Sequence, residues 1–206
     1  IHPTSATEIP VVGGTKNANW SKVYELNCDL VLFDREENTA EMAEECQLPY
    51  YATHVSDIKS LARELMTLGE RLKNSALIKL ARRAEAVDAL TPPSSPGSEK
   101  KVVYMIWKNP WMAVGPKTFI ADVLAKTGRE IFPFEEKYPV VHLDDLKDKN
   151  IEVYFSSEPY PFLREQEQLS HLGFTHRFVD GEHFSWFGIR SLRYLESILK
   201  AQSLSI

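Results

Sequence analysis

The chain of 206 residues is 43% hydrophobic and 26% charged, with a formal net charge of −5, values that exclude a disordered chain. The negative balance disfavours nonspecific attraction to nucleic acid, and no basic aromatic stripe reverses it. No apolar run reaches the roughly 20 residues that a membrane-crossing helix needs.

The first segment, "IHPTSATEIP", has neither an initiator Met nor an apolar signal core, so the sequence reads as a processed form or a fragment. "EIPVVGG" reads as a short strand ending in a glycine turn. "NANWSKVYELN" places Trp20, Val23, Tyr24 and Leu26 on one helical face, with Asn19 or Asn17 as N-cap. "CDLVLFD" is a continuous apolar run, the pattern of a strand covered on both faces. "REENTAEMAEECQ" reads as a helix, "LPYYATHV" as a strand, and "SDIKSLARELMTLGERL" as a helix opening on a Ser56 cap with Asp57 in its first turn. Cys28 and Cys46 read as small buried hydrophobes, with a disulfide as the alternative in an oxidising compartment.

In "NSALIKLARRAEAVDAL" the residues Leu77, Leu80, Ala81, Ala84, Val87 and Leu90 recur at helical spacing. Then "TPPSSPGSEK" stops all periodicity, as an exposed connection does. After it come a strand "KKVVYMIW", a helix "TFIADVLAKTG" closed by Gly128, a short helix "HLDDLKDK", a strand "IEVYFSS", a helix "YPFLREQEQLSHLG" ended by Gly173, a strand "THRFVDG" and a terminal helix "SWFGIRSLRYLESILKAQ". Strands alternating with helices predict parallel sheets wrapped by helices. The expected organisation is an α/β fold of two lobes with mainly parallel sheets, residues 1–73 and 101–206, joined through one long helix and its connection over residues 74–100.

In open α/β sheets ligands sit beyond the carboxyl ends of the strands. Those ends carry "GGTKN", "FDREEN", "WKNPW", "SSEPYPF" and "DGEHFSW", which hold Trp107, Trp111, Tyr160, Phe162, Phe184 and Trp186. Aromatic area there suits a large, rigid, partly apolar ligand; the plainer alternative is rings that cover a lobe's core under the loops.

The stretches "PVVGGTKNANWSKVYELNCDLVLFDREEN", "WKNPWMAVGPKTFIADVLAKTG", "VYFSSEPYPF" and "VDGEHFSWFGIRSL" together resemble the helical-backbone (class III) periplasmic binding proteins. These are the substrate-binding components of ABC importers for cobalamin, ferric siderophores and haem, and the likeness leans to the cobalamin-type branch. It implies two lobes bridged by one rigid helix, a shallow ligand cleft between them, a monomer in the periplasm or cell envelope, a membrane permease as partner, and no catalysis. Members usually carry an extra strand and helix ahead of where this sequence starts. Carried over by position, the ligand contacts are Gly14, Thr15, Lys16, Asp34, Arg35, Trp107, Asn109, Trp111, Phe184 and Trp186. The family also docks one carboxylate of each lobe onto permease arginines, which points to Glu37 or Glu41 on the first lobe and Glu158 on the second. No cofactor is implied beyond the ligand itself, cobalamin or another metal chelate. Only Lys16, Arg35 and Lys108 stand out as cations near the loops, which favours a near-neutral corrinoid over anionic siderophores.

Rival readings find less support. The six His include no HExxH and no close His/Cys cluster; His183 alone sits on a cleft loop. "VVGGTKN" is no P-loop, no GxSxG elbow occurs, and Asp180, Glu182 and His183 lack a nearby nucleophile. A ligand sensor on the same fold would keep the cleft and lose the docking carboxylates.

Overall fold

The structure, a computed structural model, describes residues 4–92, 100–147 and 149–203. Most of the connection read over 91–100 lies outside the described residues, as does Asp148 of "HLDDLKDK". By its contacts the chain divides into two units, Ile1–His54 and Val55–Ile206.

In the first unit a two-residue hairpin pairs β1 (Gly13–Gly14) with β2 (Asn17–Ala18). Helix α1 (Trp20–Glu25) follows, its first turn capped by the Asn19 side chain, which accepts from the Lys22 amide. Strand β3 (Val31–Asp34) pairs in parallel with β4 (Tyr50–Thr53), and α2 (Ala40–Glu45) crosses from one to the other. Val23, Phe33 and Met42 are buried, with Trp20 and Tyr50 packed edge-on to Phe33.

Two expectations for this unit are corrected. Residues 8–12 form no strand, because Pro10 has no amide to donate and Ile9 and Val11 stay exposed. The helix read over 35–47 shrinks to α2: the Asp34 carboxylate accepts from the amides of Glu36 and Glu37, which ties residues 34–37 into a turn, and Thr39 caps α2 by accepting from the Met42 amide. Both cysteines are free thiols, directed at the carbonyls of Val23 and Leu48.

The second unit opens with α3 (Ile58–Arg71) and α4 (Ser75–Asp88). The cap of α3 is Asp57, one residue later than expected, since the Asp57 carboxylate and the Ser60 hydroxyl each accept from the other's amide. The two helices touch closely at Gly69, where a Cβ would lie 2.7 Å from Ile78 Cγ1 and 3.0 Å from its amide nitrogen. Because α3 and α4 bury Ile58, Leu61, Ala62, Ala84 and Val87 in one cluster with the second sheet, contacts group α3 with this unit rather than with the lobe read over 1–73.

That sheet has the order β6-β5-β7-β8, from β5 (Lys101–Trp107), β6 (Met112–Val114), β7 (Ile151–Ser156) and β8 (His176–Val179). β7 runs parallel to both β5 and β8, and only β6 is antiparallel. One face carries Val102, Tyr104 and Tyr154 against α5 (Phe119–Lys126) and α8 (Ile189–Ser203). The other carries Val103, Met105, Val153 and Phe155 against Leu146, Phe162 and Leu169. A bidentate pair from Arg83 of α4 to Glu196 of α8, with both bonds 2.9 Å, ties the helices on the first face together.

The sequence reading misses β6, a three-residue strand inside "WMAVG", and α7 (Gly181–Ser185), a five-residue helix capped by Asp180. It also joins two pieces: "YPFLREQEQLSHLG" is a 3-10 turn over Phe162–Glu165 followed by α6 (Gln166–Ser170). Helices this short carry too few apolar repeats for periodicity to register.

Candidate functional site

The carboxyl ends of β5, β7 and β8 lie side by side because the three strands are parallel and in register. They deliver three segments to one edge of the second sheet: the β5–β6 turn with Trp107 to Trp111, the loop from Ser157 to Glu165, and α7 with the turn before α8.

In the β5–β6 turn Asn109 has φ +66°, a left-handed conformation that Asn tolerates through its short polar side chain. It is exposed and separates two indoles with different surroundings. Trp107 is 43% exposed and meets Tyr160 edge-on at 5.6 Å. Trp111 is half-buried and lies parallel to the buried Phe162 ring at 6.0 Å, with the Lys108 ammonium 5.6 Å from its own centroid. Tyr160 in turn packs on Phe162 at 4.7 Å. Four aromatic rings thus form one continuous array.

A polar clamp holds that array. Lys108 Nζ forms an ion pair with Glu165 Oε2, and the Tyr160 hydroxyl donates to Glu165 Oε1. The Lys108 and Glu165 side chains are only 21% and 22% exposed. Hydrogen bonds from Lys108 and Tyr160 hold the Glu165 carboxyl below the usual glutamate range, and the same carboxylate pushes the Tyr160 hydroxyl up. The sequence points to Tyr160 and Lys108 but not to Glu165, which lies 57 positions from Lys108; nothing in either local segment marks the pair.

Behind this edge, the buried Tyr104 hydroxyl donates to Ser156 Oγ at 2.9 Å, and Ser156 Oγ donates to the Glu158 carbonyl at 2.6 Å. Burial pushes the Tyr104 hydroxyl well up, so it stays protonated as a donor. Glu158 is half-buried in that turn. Gly181 fits against the turn only because it lacks a Cβ, which would fall 2.5 Å from Ser156 Oγ and 2.7 Å from Glu158 Cβ.

Phe184, read as a ligand contact, is a core residue. It is 3% exposed, with Tyr104 and Tyr194 at 5.4 and 5.2 Å, because α7 turns it inward and leaves the ring no surface to offer. Phe162 is likewise fully buried. Trp186 is 41% exposed, and the Arg190 guanidinium lies 5.1 Å from its centroid. His183 stacks on Tyr194 at 4.6 Å, with Asp180 at 3.7 Å. Among the described residues no three His, Cys, Asp or Glu side chains gather as a metal site.

In the first unit, the expected residues meet in two clipped loops. Asn38 accepts from the Asp34 amide at 2.7 Å and donates to the Thr15 carbonyl at 2.9 Å, while Lys16 Nζ donates to the carbonyls of Glu36 and Glu37. The Asp34 carboxylate is occupied by its own turn and by the Thr53 hydroxyl at 3.1 Å. Asp34 and Lys16 therefore shape the loops, and Gly14, Thr15 and Arg35 are exposed on them. Glu37 and Glu41 are exposed; hydrogen bonds from its own amide and from Thr39 hold the Glu41 carboxyl low.

A groove of about 480 Å³ lies elsewhere, along α3 and α4, with Ala62 and Met66 facing Glu85 and Asp88; it includes none of the strand-end residues.

No family model matches the sequence, and none of the curated proteins matches it. Solved structures do match along nearly the whole chain. The periplasmic vitamin B12 binding protein of Vibrio cholerae aligns over 98% of this chain and 85% of its own, at 17% identity and a TM-score of 0.69. An ABC transporter substrate-binding protein from Listeria monocytogenes aligns over 95% and 84%, at 15% identity and a TM-score of 0.73. The periplasmic haem-binding protein BhuT, solved with two haems, aligns over 96% and 83%, at 15% identity and a TM-score of 0.76.

The fold is that of the class III periplasmic binding proteins. Within that fold the neighbours bind ligands as different as vitamin B12 and haem, and each is described as a binding protein. No helix among the described residues is long and apolar enough to cross a membrane.

Proposed function

We propose that this chain is the substrate-binding component of an ABC importer of the cell envelope, capturing a large metal chelate and delivering it to a membrane permease. Cobalamin is the favoured ligand. The observation that carries the reading is the array at the carboxyl edge of the second sheet, with Trp107 exposed and Trp111 backed by Phe162, in a fold whose solved examples bind B12 and haem. An exposed indole held by neighbouring rings gives contact area at little cost in rotamer entropy.

The proposed ligand contacts are Trp107, Asn109, Trp111 and Trp186 in the second unit and Gly14, Thr15, Lys16 and Arg35 in the first. Glu37 or Glu41, with Glu158, is proposed to dock on cationic side chains of the permease. Intrinsic tryptophan fluorescence titrated with cyanocobalamin, haem and a ferric siderophore panel tests the capture step. Saturable quenching without chemical change of the ligand supports the reading, and no saturable response to any chelate overturns it. With the transporter reconstituted, Glu158→Lys should abolish the stimulation of ATP hydrolysis while ligand affinity holds; a loss of affinity instead would remove the docking role.

A further inference from the structure

The polar clamp bears on which chelate is taken, an inference that rests on the binding reading above. An anionic chelate is held by cations that have charge to spare. In the second unit Lys108, whose ammonium lies 5.6 Å from the Trp111 centroid, is spent on Glu165. Both groups are largely sheltered from water, so solvent screens their pairing weakly. The Tyr160 hydroxyl, in the same array, also donates to Glu165. What Trp107 offers a ligand is an exposed indole, whose face carries the negative side of the ring quadrupole and does not attract anions. Arg164 is exposed on the adjoining turn, with Glu167 exposed just beyond it. In the first unit Lys16 is likewise engaged, with the carbonyls of Glu36 and Glu37.

We propose that the Lys108–Glu165–Tyr160 clamp makes the aromatic array selective for electroneutral metal chelates over polyanionic ones, with Glu165 as the residue that sets the preference. Glu165 acts through Lys108: it cancels the charge that would otherwise recruit catecholate or carboxylate groups. Without that carboxylate the ammonium remains beside Trp111 as an uncompensated cation.

The test is the ratio of two affinities, for electroneutral cyanocobalamin and for a trianionic ferric tricatecholate, measured by fluorescence titration at low ionic strength. The wild-type protein should favour cyanocobalamin by at least about tenfold, a gap set by electrostatic complementarity. Glu165→Gln keeps the hydrogen-bonding shape and removes the charge, and should lower the ratio at least about threefold, the order expected for one partly exposed charge. Lys108→Met leaves the carboxylate unpaired and should raise the ratio. The double variant should return it toward the wild-type value. General damage to the site cannot move the ratio in opposite directions for the two single variants. A wild-type preference for the tricatecholate, or a ratio that the single variants leave unmoved or shift the same way, overturns the proposal. Absence of binding of both probes by the wild-type protein overturns this inference; only if haem and the rest of the siderophore panel also fail to bind does the importer reading fall with it.

Discussion

Trp107 and Trp111 are four positions apart in one turn, yet they have different tasks. Trp107 leaves 43% of its surface open, so Trp107→Ala should weaken chelate binding by about 1 to 3 kcal/mol, the range for losing an aromatic anchor, and leave the melting temperature almost unmoved. Trp111 lies flat on Phe162 and beneath Lys108. Trp111→Ala should therefore cost stability as well, about 2 kcal/mol in denaturant unfolding, less than the 3 to 5 typical of a fully buried large aromatic. Phe184, at 3% exposure, marks the other limit: Phe184→Ala should cost about 3 to 5 kcal/mol of stability. If Phe184→Ala lowered affinity in a protein of unchanged stability, its placement in the core would be wrong. Spacing in the sequence put all three rings on loop ends but could not tell them apart, because inward and outward positions on a five-residue helix such as α7 or a four-residue turn leave no periodic trace.

At the scale of elements, the α3–α4 pair rests on Gly69. Alanine is the better helix former by about 1 kcal/mol, yet a Cβ at position 69 would lie 2.7 Å from Ile78 Cγ1 and 3.0 Å from the Ile78 amide nitrogen. Gly69→Ala should lower stability by about 1 to 3 kcal/mol through overpacking, and a gain in stability would show that α4 can move aside. The α4–α8 tie behaves differently, since Arg83 and Glu196 are partly solvated. The Arg83 guanidinium holds the Glu196 carboxyl below its ordinary range. The folded value is thus lower than the unfolded one, so the pair stabilises above the ordinary glutamate pKa of about 4.3 and fades as pH falls through the lowered folded value. Its contribution should be about 0.5 to 1 kcal/mol. The difference in stability between wild type and Glu196→Gln should be present near neutral pH and vanish in acid; a pH-independent difference would mean the ion pair does not supply it.

For the molecule as a whole, the parallel strands, the long helices and the strand-end loops were legible in the sequence, because continuous apolar runs such as "CDLVLFD" and "KVVYM" and the repeats of α3, α4 and α8 are long enough to declare themselves. Their grouping was less legible. The sequence drew a boundary after α3, at the end of one strand–helix alternation, whereas contacts place α3 with the second sheet through Ile58 and Leu61. Those contacts join residues far apart in the chain, and local pattern carries no record of them. The Lys108–Glu165 pair was hidden for the same reason. Conversely, nothing in the local pattern shows that the folded chain also uses Asp34 and Lys16 to fix their loops.

On the proposed reading, the exposed indole of Trp107 at the carboxyl edge of the second sheet is a contact surface for a large metal chelate. Isothermal titration of the wild-type protein and Trp107→Ala with cyanocobalamin tests it most directly. The expected result is saturable one-to-one binding that the substitution weakens by roughly fivefold to a hundredfold. Equal affinity in the two proteins, or no binding by the wild type, would contradict it.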